Sequence, residues 1–389
     1  MTVHAFTNGH IVTPAGVLPQ ASLDVQGGRI VAIDPRADGG AIDLGGGWLM
    51  PGFIDVQVNG GGGVLFNDAT SVDGIAAIGA AHRRYGTTAF LPTLISETPD
   101  RIAQALDAVD AAIEAGVPGV IGIHVEGPCI SPSRKGIHEP SRFRAMDDEL
   151  LALLTRPRRG RVLVTLAPEI VPPDRIAALV AAGVIVSLGH SDAVHAEAVA
   201  AFVAGASGVT HLFNAMSPLL HRAPGLVGAA LDDQQAWCGL IVDGVHVDDA
   251  VLRVALRARS PERFMLVTDA MPSVGAADKD FVLQGKPIRV VGGRCLGPDG
   301  TLAGCDLDMA GAVRGAVTRL GLSPQVAAAM AAGNPAAFLG LSQERGALSP
   351  GQRADWVQLS ADLHAVATTI GGEHMEAAQA APVRHISHA

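Results

Sequence analysis

Apolar runs and polar run ends alternate regularly along the middle of the chain. Each run is rich in Val and Ile and short enough for a buried strand. The runs are FIDVQVNG (53–60), TAFLPTLIS (88–96), IGIHVEG (121–127), RVLVTLAPE (161–169), VIVSLGHSD (184–192), GVTHLFNAM (208–216), AWCGLIVDGVH (236–246) and RFMLVTDAM (263–271). Most segments between them have the apolar spacing of a helix, as in Ile102, Leu106, Val109 and Ile113, and in Val199, Phe202, Val203 and Ala206. The pattern predicts an α/β fold of about eight strand–helix units.

Eight such units are the number found in a (β/α)₈ TIM-type barrel. A doubly wound open sheet is the competing architecture. The barrel is favoured because polar residues stand at the carboxyl end of nearly every predicted strand, and a closed ring brings those ends together at one mouth.

The two ends of the chain have a different pattern. AFTNGHIVT contains an Asn-Gly turn and SLDVQGGRIVAIDP a Gly-Gly turn, each between alternating apolar positions, and both predict hairpins. GALSPGQRADWVQLS and ATTIGG also read as short strands, so the termini are expected to meet in a small β-sandwich. The predicted parts are 1–50 (sandwich), 51–344 (barrel) and 345–389 (sandwich and a patternless tail that starts at EHMEAA).

The amino-acid composition limits the kinds of binding partner and the cellular location that are expected. The chain has 28 Lys and Arg against 38 Asp and Glu, a net charge of −10, and no long basic run, which argues against nucleic acid. The 4 cysteines are far apart and match neither a CxxC metal site nor a disulfide framework. The N-terminus lacks the pattern of a signal peptide, and no apolar run approaches the ~20 residues of a membrane span. A cytoplasmic protein without membrane association is expected.

Side chains that could bind a metal or transfer a proton lie at the ends of the predicted strands. His124 and Glu126 are two residues apart, so their side chains share one face of a strand. His190, His211 and Asp269 end later strands, and the seventh leads to His246. Two histidines and a carboxylate with one open position form the ligand set of a catalytic zinc site. A cation would compensate the buried charge of Glu126, and Asp269 would be the base that takes a proton from water.

A structural explanation exists for each of these residues taken alone. A histidine at a strand end is commonly a satisfied polar residue, and an aspartate followed by Ala and Met is also suited to cap a helix. Their recurrence at equivalent positions in successive units is what favours a metal site.

A set of motifs, in this order, closely resembles the N-acetylglucosamine-6-phosphate deacetylase family of the amidohydrolase superfamily. The resemblance extends from about residue 6 to about residue 360, and THLFNAM with DGVHVD is its most specific pair. The motifs are PGFIDVQVNG, HVEGP, KGIHEP, TLAPE, GHSDA, THLFNAM, HRAPGLVG, DGVHVD and LVTDAM.

The resemblance implies a role for each matched residue. It implies that Glu126, His190 and His211 bind the metal, that Asp269 is the catalytic acid and base, and that His138 acts beside the scissile carbonyl. It also implies a set of substrate contacts at Ile137, His138, Asn214, Ala215, Arg222, His246, Leu302, Ala303 and Gly304. Members of the family resemble dimers in which the neighbour helps to complete the phosphate end of the site.

Strand one and strand four depart from a pattern common among amidohydrolases. Gln57 and Asn59 stand where many members have His-x-His, and VLVTLAPE has no bridging lysine. Amides are poorer zinc ligands than imidazole. One divalent ion is therefore predicted, with zinc as the first expectation and iron or another divalent metal as alternatives. Cys305, Asp306 and Asp308 follow TLAG, where the family has small hydroxyl residues.

The function predicted from the sequence is metal-dependent hydrolysis of the N-acetyl group of N-acetyl-D-glucosamine 6-phosphate. The products are D-glucosamine 6-phosphate and acetate, the substrate is an amino-sugar phosphate, and the assembly is a homodimer. The alternatives are deacetylation of the N-acetylgalactosamine 6-phosphate epimer, another amidohydrolase reaction such as cyclic-amide opening, and a non-catalytic protein on the same fold.

Overall fold

The structure, a computed structural model, describes residues 1–36 and 40–376, and its N-terminal part is a set of short strands. They are β1 (Thr2–Thr7), β2 (His10–Thr13), β3 (Gly16–Leu18), β4 (Ala21–Gln26), β5 (Arg29–Asp34), β6 (Ile42–Asp43) and β7 (Trp48–Pro51). The predicted Gly27–Gly28 hairpin is confirmed, since β4 and β5 pair antiparallel across it. The predicted Asn8–Gly9 hairpin is wrong. β1 pairs with β4 while β2 pairs with β3, so this turn carries the chain from one sheet to another.

The predicted barrel is confirmed as a ring of parallel strands. The strands of this part are β8 (Phe53–Val58), β9 (Gly60–Gly61), β10 (Val64–Leu65), β11 (Thr87–Ile95), β12 (Gly122–Glu126), β13 (Arg161–Leu166), β14 (Ile185–Leu188), β15 (Gly208–Val209), β16 (Trp237–Leu240) and β17 (Phe264–Leu266). Apart from the small β9–β10 pair, each strand pairs parallel with the next along the chain. The ring closes where Val58 bridges Ala270 in parallel and the amide of Asn59 donates to the Ala270 carbonyl at 2.9 Å.

Helices cover the outside of the ring. They are α1 (Val72–Arg83), α2 (Pro99–Glu114), α3 (Asp148–Leu154), α4 (Pro173–Ala181), α5 (His195–Val203), α6 (Gly225–Asp232), α7 (Asp249–Ala258), α8 (Met309–Thr318), α9 (Pro324–Ala328) and α10 (Asn334–Phe338). A π-helical turn joins α9 to α10, and short 3₁₀ turns occupy Pro132–Arg134, Pro140–Arg142 and Pro261–Arg263. Within the described residues, no helix has both the length and the apolar composition required to span a bilayer.

The apolar stripe predicted for α2 is confirmed, whereas the one predicted around α5 is confirmed at Phe202 and Ala206 and wrong at Val199 and Val203. Ile102, Leu106 and Val109 of α2 are buried against the barrel. In α5 the buried residues are Ala198 and Ala201, while Val199 is 40% exposed and Val203 84% exposed. Small residues form the buried side of this helix, where α6 packs against it, and the two valines lie on the outer side.

An antiparallel sheet that the sequence analysis did not predict is inserted between β17 and α8. Its strands are β18 (Phe281–Leu283), β19 (Lys286–Val291), β20 (Arg294–Leu296) and β21 (Leu302–Cys305). Leu283, Ile288 and Cys295 of this sheet pack with Ile95 and Met271 from the barrel mouth. The insertion therefore forms one wall above the carboxyl ends of the strands.

The predicted contribution of both termini to one β-structure is confirmed. The C-terminal strands are β22 (Trp356–Leu359), β23 (Ala365–Ile370) and β24 (Glu373–Glu376), and β22 pairs antiparallel with β7. The sheets enclose a small core that contains Phe6, Leu23 and Trp356. The patternless tail was predicted from residue 373, yet 373–376 form β24. Residues 377–389, which include His385 and His388, lie outside the described residues.

Candidate active site

Four candidate residues from different strands meet at the mouth of the barrel. Glu126 is the last residue of β12, while His190 and His211 lie two residues beyond β14 and β15, and Asp269 lies three residues beyond β17. The last three have positive backbone φ angles of 47°, 32° and 50°. This left-handed conformation is uncommon for residues other than glycine and costs roughly 1–3 kcal/mol each. The surrounding structure must compensate that cost, and the strained turns aim the three side chains into one space.

The donor atoms of Glu126, His190 and His211 converge. Oε1 of Glu126 lies 3.3 Å from Nε2 of His190 and 3.1 Å from Nε2 of His211, and the two nitrogens are 3.1 Å apart. All three side chains are buried. Three donors bound to one tetrahedral zinc at about 2.0–2.1 Å would be separated by about 3.3 Å. The group therefore fits a divalent cation with a single open position.

His138 stands close to this group but outside the tight triangle. Its Nε2 lies 4.0 Å from Oε2 of Glu126, and its ring centroid is 4.4 Å from that of His190. The shorter separations to His211 make Glu126, His190 and His211 the better ligand set. His138 is then placed beside the open position.

The charged groups at the mouth of the barrel favour the binding of a cation. Burial acts to raise the pKa of Glu126, but hydrogen bonds from His190 and His211 outweigh it and hold this pKa well below its ordinary value. Burial likewise opposes the charged form of His211, yet the hydrogen bond to Glu126 raises the pKa of His211. A positive charge between these groups is thus favourable, and a bound divalent ion supplies it more fully than a proton does.

The loop before His138 orients one of the candidate ligands. Nδ1 of His190 lies 2.9 Å from the carbonyl oxygen of Arg134, and the amide of Ser131 donates to the His190 carbonyl at 2.8 Å. With an N–H at Nδ1 that donates to this carbonyl, the imidazole can bind a cation beside Glu126 through Nε2. Such outer contacts fix the tautomer and ring orientation of metal-binding histidines.

Asp269 is held by two amide side chains, those of Gln57 in strand β8 and of Asn59 directly after this strand. Asn59 Nδ2 donates to Oδ1 of Asp269 at 2.6 Å, and Gln57 Nε2 donates to the same oxygen at 3.1 Å. Gln57 also donates to Oε1 of Glu126 at 3.0 Å. Both donors occupy Oδ1, so Oδ2 of Asp269 remains available to a reactant. Gln57 therefore links the acid–base candidate to the metal-ligand candidate.

The pKa of Asp269 suits a residue that both takes and returns a proton. Burial raises the pKa of this carboxyl to about 6, and the charge of Glu126 adds to the increase. A bound cation would act in the opposite direction. Groups with a pKa near the working pH are the most effective acids and bases.

His138 is neutral and is positioned by Ser96. Burial lowers the pKa of His138 well below its ordinary value, and His190 adds to the decrease. Its Nδ1 lies 2.7 Å from the hydroxyl oxygen of Ser96. In the tautomer in which Nδ1 accepts the Ser96 proton, Nε2 carries the N–H that faces the metal-ligand group.

A cavity of about 220 Å³ opens above these residues. Its lining contains Glu126, His190, His211 and Asp269 together with most of the predicted substrate contacts, which are Ile137, His138, Asn214, Ala215, His246, Leu302 and Gly304. The cavity also contacts Asn59, Thr301 and Met271, which the sequence analysis did not assign. The mouth of the barrel thus combines a cation-binding group, an acid–base candidate and space for a small molecule.

Two predicted substrate contacts do not line the cavity. The side chain of Ala303 is fully buried in the cluster formed by the inserted sheet, so it offers a ligand no apolar surface. Arg222 is exposed in the turn between Leu220 and Ala223. The contacts predicted for these two residues remain predictions, and the one for Arg222 depends on a ligand or a second subunit that reaches this turn.

Asn59, Ser96 and Asp243 were not assigned roles from the sequence, although each contacts an assigned residue. Asp243 Oδ2 lies 2.6 Å from Nδ1 of His246, and two backbone amides of the same loop donate to its Oδ1. The spacing of Gln57 and Asn59, two residues apart at the end of the first predicted strand, was a usable signal for Asn59. No comparable signal existed for Ser96, because its partner His138 is on a different loop.

Comparison with known proteins supports one family. Residues 48–377 match the amidohydrolase family. The chain is 42% identical over 378 residues to an N-acetylgalactosamine-6-phosphate deacetylase of Shewanella sp. (strain ANA-3), which covers 95% of each chain. It is 38% identical to the N-acetylglucosamine-6-phosphate deacetylase of Mus musculus, over 95% of this chain and 94% of that one.

A solved structure shows the same architecture. The crystal structure of N-acetylglucosamine-6-phosphate deacetylase from Pasteurella multocida superposes with a TM-score of 0.92 at 35% identity, and the match covers 96% of this chain and 100% of that one. The barrel and the additional sheets at the termini are therefore shared across almost the whole length.

Proposed function

This chain belongs to the amidohydrolase family, and from that premise we propose that it hydrolyses N-acetyl-D-glucosamine 6-phosphate to D-glucosamine 6-phosphate and acetate. The observation that carries the proposal is the convergence of Glu126, His190 and His211 within 3.1–3.3 Å at a cavity that also contains Asp269. A linear amide is hydrolysed by water only when the carbonyl is polarised and the leaving amine is protonated.

We propose that Glu126, His190 and His211 hold one divalent ion, with zinc as the first candidate. When bound, such an ion supplies Lewis-acid polarisation of a carbonyl and lowers the pKa of coordinated water. The donor set of two imidazoles and a carboxylate suits zinc and also suits iron.

Asp269 is proposed to move the proton. Asn59 and Gln57 occupy Oδ1, so Oδ2 takes the proton of the attacking water as the new C–O bond forms. The same oxygen then returns that proton to the amide nitrogen as the C–N bond breaks, and the amine leaves in a neutral form. A single carboxyl suffices because the two transfers are sequential.

His138 is proposed to stabilise the developing oxyanion. Its Nε2–H faces the candidate metal ligands, and Ser96 fixes the ring at Nδ1. A neutral donor that is already oriented stabilises the transition state without the cost of reorganisation.

The sugar phosphate is proposed to bind along the cavity towards Arg222. Ile137, Leu302 and Gly304 would line the sugar, with the backbone at Ala303, while Asn214, Ala215 and His246 would contact its polar groups. Arg222 offers a planar fork suited to phosphate oxygens. Its exposure beside Leu219 and Leu220, which are 55% and 54% exposed, supports a homodimer in which the neighbour covers this end.

Deacetylation of N-acetylgalactosamine 6-phosphate is the second candidate. The relative from Shewanella sp. favours it, because that protein is an N-acetylgalactosamine-6-phosphate deacetylase and is 42% identical to this chain. The two sugars differ at one hydroxyl, so both reactions use the same residues. A cytoplasmic location and the division into 1–50, 51–344 and 345–389 are likewise proposed.

The test is acetate release by the purified protein from both sugar phosphates and from N-acetylglucosamine without phosphate. Turnover of one phosphorylated sugar, abolished by prior chelation and restored by Zn²⁺ or Fe²⁺, supports the proposal. The Arg222→Ala variant is expected to raise KM for the phosphorylated sugar and to leave the slow reaction of the unphosphorylated one unchanged. Equal turnover with and without the phosphate would contradict the proposal.

A further inference from the structure

A second group of metal-binding side chains lies on the cavity wall. It consists of Asp243 and His246, from the loop after β16, and Cys305, the last residue of β21. His246 and Asp243 are 7% and 8% exposed, and Cys305 is fully buried. We call these three residues the Asp–His–Cys cluster. The proposed hydrolysis uses His246 as a substrate contact and gives no role to the other two residues.

The cluster is rigidly built. The amides of Val245 and His246 donate to Oδ1 of Asp243 at 2.8 and 2.9 Å, which leaves Oδ2 for other partners. The backbone of Cys305 is fixed on both sides, since its amide donates to the Asp269 carbonyl and its carbonyl accepts from the Met271 amide. The carboxylate of Asp243 and the backbone of Cys305 are therefore held in place, and His246 is fixed by its contact with Asp243.

The separations approach those of a tetrahedral zinc site. Sγ of Cys305 lies 3.4 Å from Nδ1 of His246 and 3.6 Å from Oδ2 of Asp243. With a Zn–S bond of about 2.3 Å and Zn–N and Zn–O bonds of about 2.0–2.1 Å, tetrahedral angles place sulfur about 3.5 Å from the other donors. The remaining pair, Nδ1 and Oδ2, is 2.6 Å apart because a proton joins them. Replacement of that proton by a larger ion opens this separation to about 3.3 Å.

The donor types indicate which ion would bind. A thiolate, an imidazole and a carboxylate form a mixed set that favours soft or borderline ions such as Zn²⁺, Co²⁺ and Cd²⁺ over Mg²⁺ or Ca²⁺. The group of Glu126, His190 and His211 has no sulfur. His246 lines the cavity, which gives an ion a route to the cluster.

We propose that the Asp–His–Cys cluster binds a second, thiophilic divalent cation, and that this cation inhibits the enzyme. Binding removes the thiol proton from Cys305 and moves the imidazole proton of His246 from Nδ1 to Nε2. One proton is released for each ion that binds. The inhibitory consequence rests on the proposed function: His246 is withdrawn from the substrate, and a positive charge is added next to the backbone of Asp269.

The resting state of the cluster explains why the second ion would bind more weakly than the first. Burial raises the pKa of the Cys305 thiol well above its ordinary value, and the charges of Asp269 and Asp243 add to the increase. The ion must displace that proton, which weakens its binding at this site. The site is expected to fill in excess metal and to remain a hydrogen-bonded cluster otherwise.

The experiment is a titration of the metal-free protein with Co²⁺, followed by near-ultraviolet absorption and by metal analysis. The expected result is two equivalents bound, with a thiolate-to-cobalt charge-transfer band that grows with the second equivalent. Cys305→Ser should remove this band and reduce the binding to one equivalent. Cys295→Ser, which changes a buried cysteine outside the cluster, should retain both.

Kinetics in excess Zn²⁺ then test the consequence. The wild-type protein should lose turnover as the second equivalent binds, whereas Cys305→Ser should keep its turnover at the same concentration. Absence of the band in the wild type, or its survival in Cys305→Ser, would overturn the second site. Because the band and the stoichiometry need no substrate, their failure is distinguishable from failure of the proposed deacetylase activity.

Discussion

Two layers of polar side chains lie one above the other in the barrel, a lower layer around His124 and an upper layer formed by Glu126, His190 and His211. Only the upper layer has donor atoms arranged to bind a cation. In the lower layer, His124 Nε2 and the Thr165 hydroxyl are 2.7 Å apart, and further hydroxyl contacts of 2.7 Å link Thr165, Thr210 and Ser187. Thr93 reaches the other ring nitrogen of His124 at 3.3 Å. In the upper layer, the nitrogens of His190 and His211 face each other and the oxygen of Glu126.

The difference shows what separates a structural histidine from a candidate ligand. Burial lowers the pKa of His124 to about 4, so it is neutral, and hydroxyl groups satisfy both of its nitrogens. In the upper layer, Nδ1 of His211 and Oδ1 of Asn59 have no hydrogen-bond partner among the described residues. His124 and Glu126 are two residues apart on one strand, yet one completes a closed network and the other belongs to a network that needs a cation.

The largest effects are expected when one histidine of each layer is replaced by alanine. His190→Ala should bind almost no metal and lose activity, because it removes one of three donors. His124→Ala should keep its metal but unfold more easily, by about 1–3 kcal/mol, since it leaves a buried hydroxyl without its partner. Metal analysis and chemical denaturation of both variants make the measurement. If the His124→Ala variant is fully folded but has lost its metal, the assignment of His124 to a purely structural layer is wrong.

The next largest effect is expected at Asp269, which is proposed to transfer the proton and not to bind the metal. Asp269→Asn should lower kcat by about 10²- to 10⁴-fold, the range of acid–base catalysis, and should keep the metal content of the wild type. The asparagine has a similar shape but cannot accept the proton of the attacking water. Acetate release and metal analysis on the same sample check this. Normal turnover of the variant would remove Asp269 from the mechanism.

A smaller effect is expected at the amide that orients Asp269. Asn59→Ala removes the 2.6 Å hydrogen bond to Oδ1. A hydrogen bond to a charged group is worth about 1.5–3 kcal/mol, so kcat should fall by about 10- to 100-fold. Asn67→Ala is a matched control, because Asn67 is a buried amide that contacts the backbone of Ile95 instead of Asp269. Equal losses of kcat in both variants would indicate a general effect on folding.

The pH dependence tests the same carboxyl in the intact protein. The pKa of Asp269 is raised to about 6 by burial, and a bound cation lowers it from that value. The base must be ionised to act, so kcat/KM should be level above this pKa. Below it, kcat/KM should fall about tenfold per pH unit, with a midpoint at or below about 6. Asp269→Asn should lose this acidic limb, and a limb that persists in the variant would assign it to another group.

Much of the architecture followed from the sequence because its signals are local. The apolar runs predicted as barrel strands coincide with the observed strands, and strand patterns at both ends indicated that the termini meet in one β-structure. The Asn8–Gly9 turn was misread because the turn chemistry is the same whether the flanking strands pair with each other or with different sheets. The register of β1 with β4 is a long-range property that no turn encodes.

The functional site was less predictable, because the role of each residue depends on contacts between segments that are distant in the sequence. Nothing in the sequence near His124 distinguishes it from His190, since the distinction lies in Thr165 and Thr93 on neighbouring strands. Ser96 contacts His138 from 42 residues away, and Asn59 contacts Asp269 from 210 residues away. The inserted sheet carried weak signals, the Gln-Gly and Gly-Gly turns between short apolar runs, which a search for strand–helix units passes over.

The most direct test of the upper layer as a cation site is anomalous diffraction from a crystal of the protein grown with one equivalent of Zn²⁺. The account predicts a zinc peak about 2.0–2.2 Å from Oε1 of Glu126 and from Nε2 of both His190 and His211, with His124 still joined to Thr165. A crystal in which those three atoms diverge, or in which the ion binds elsewhere and leaves this space empty, would contradict it.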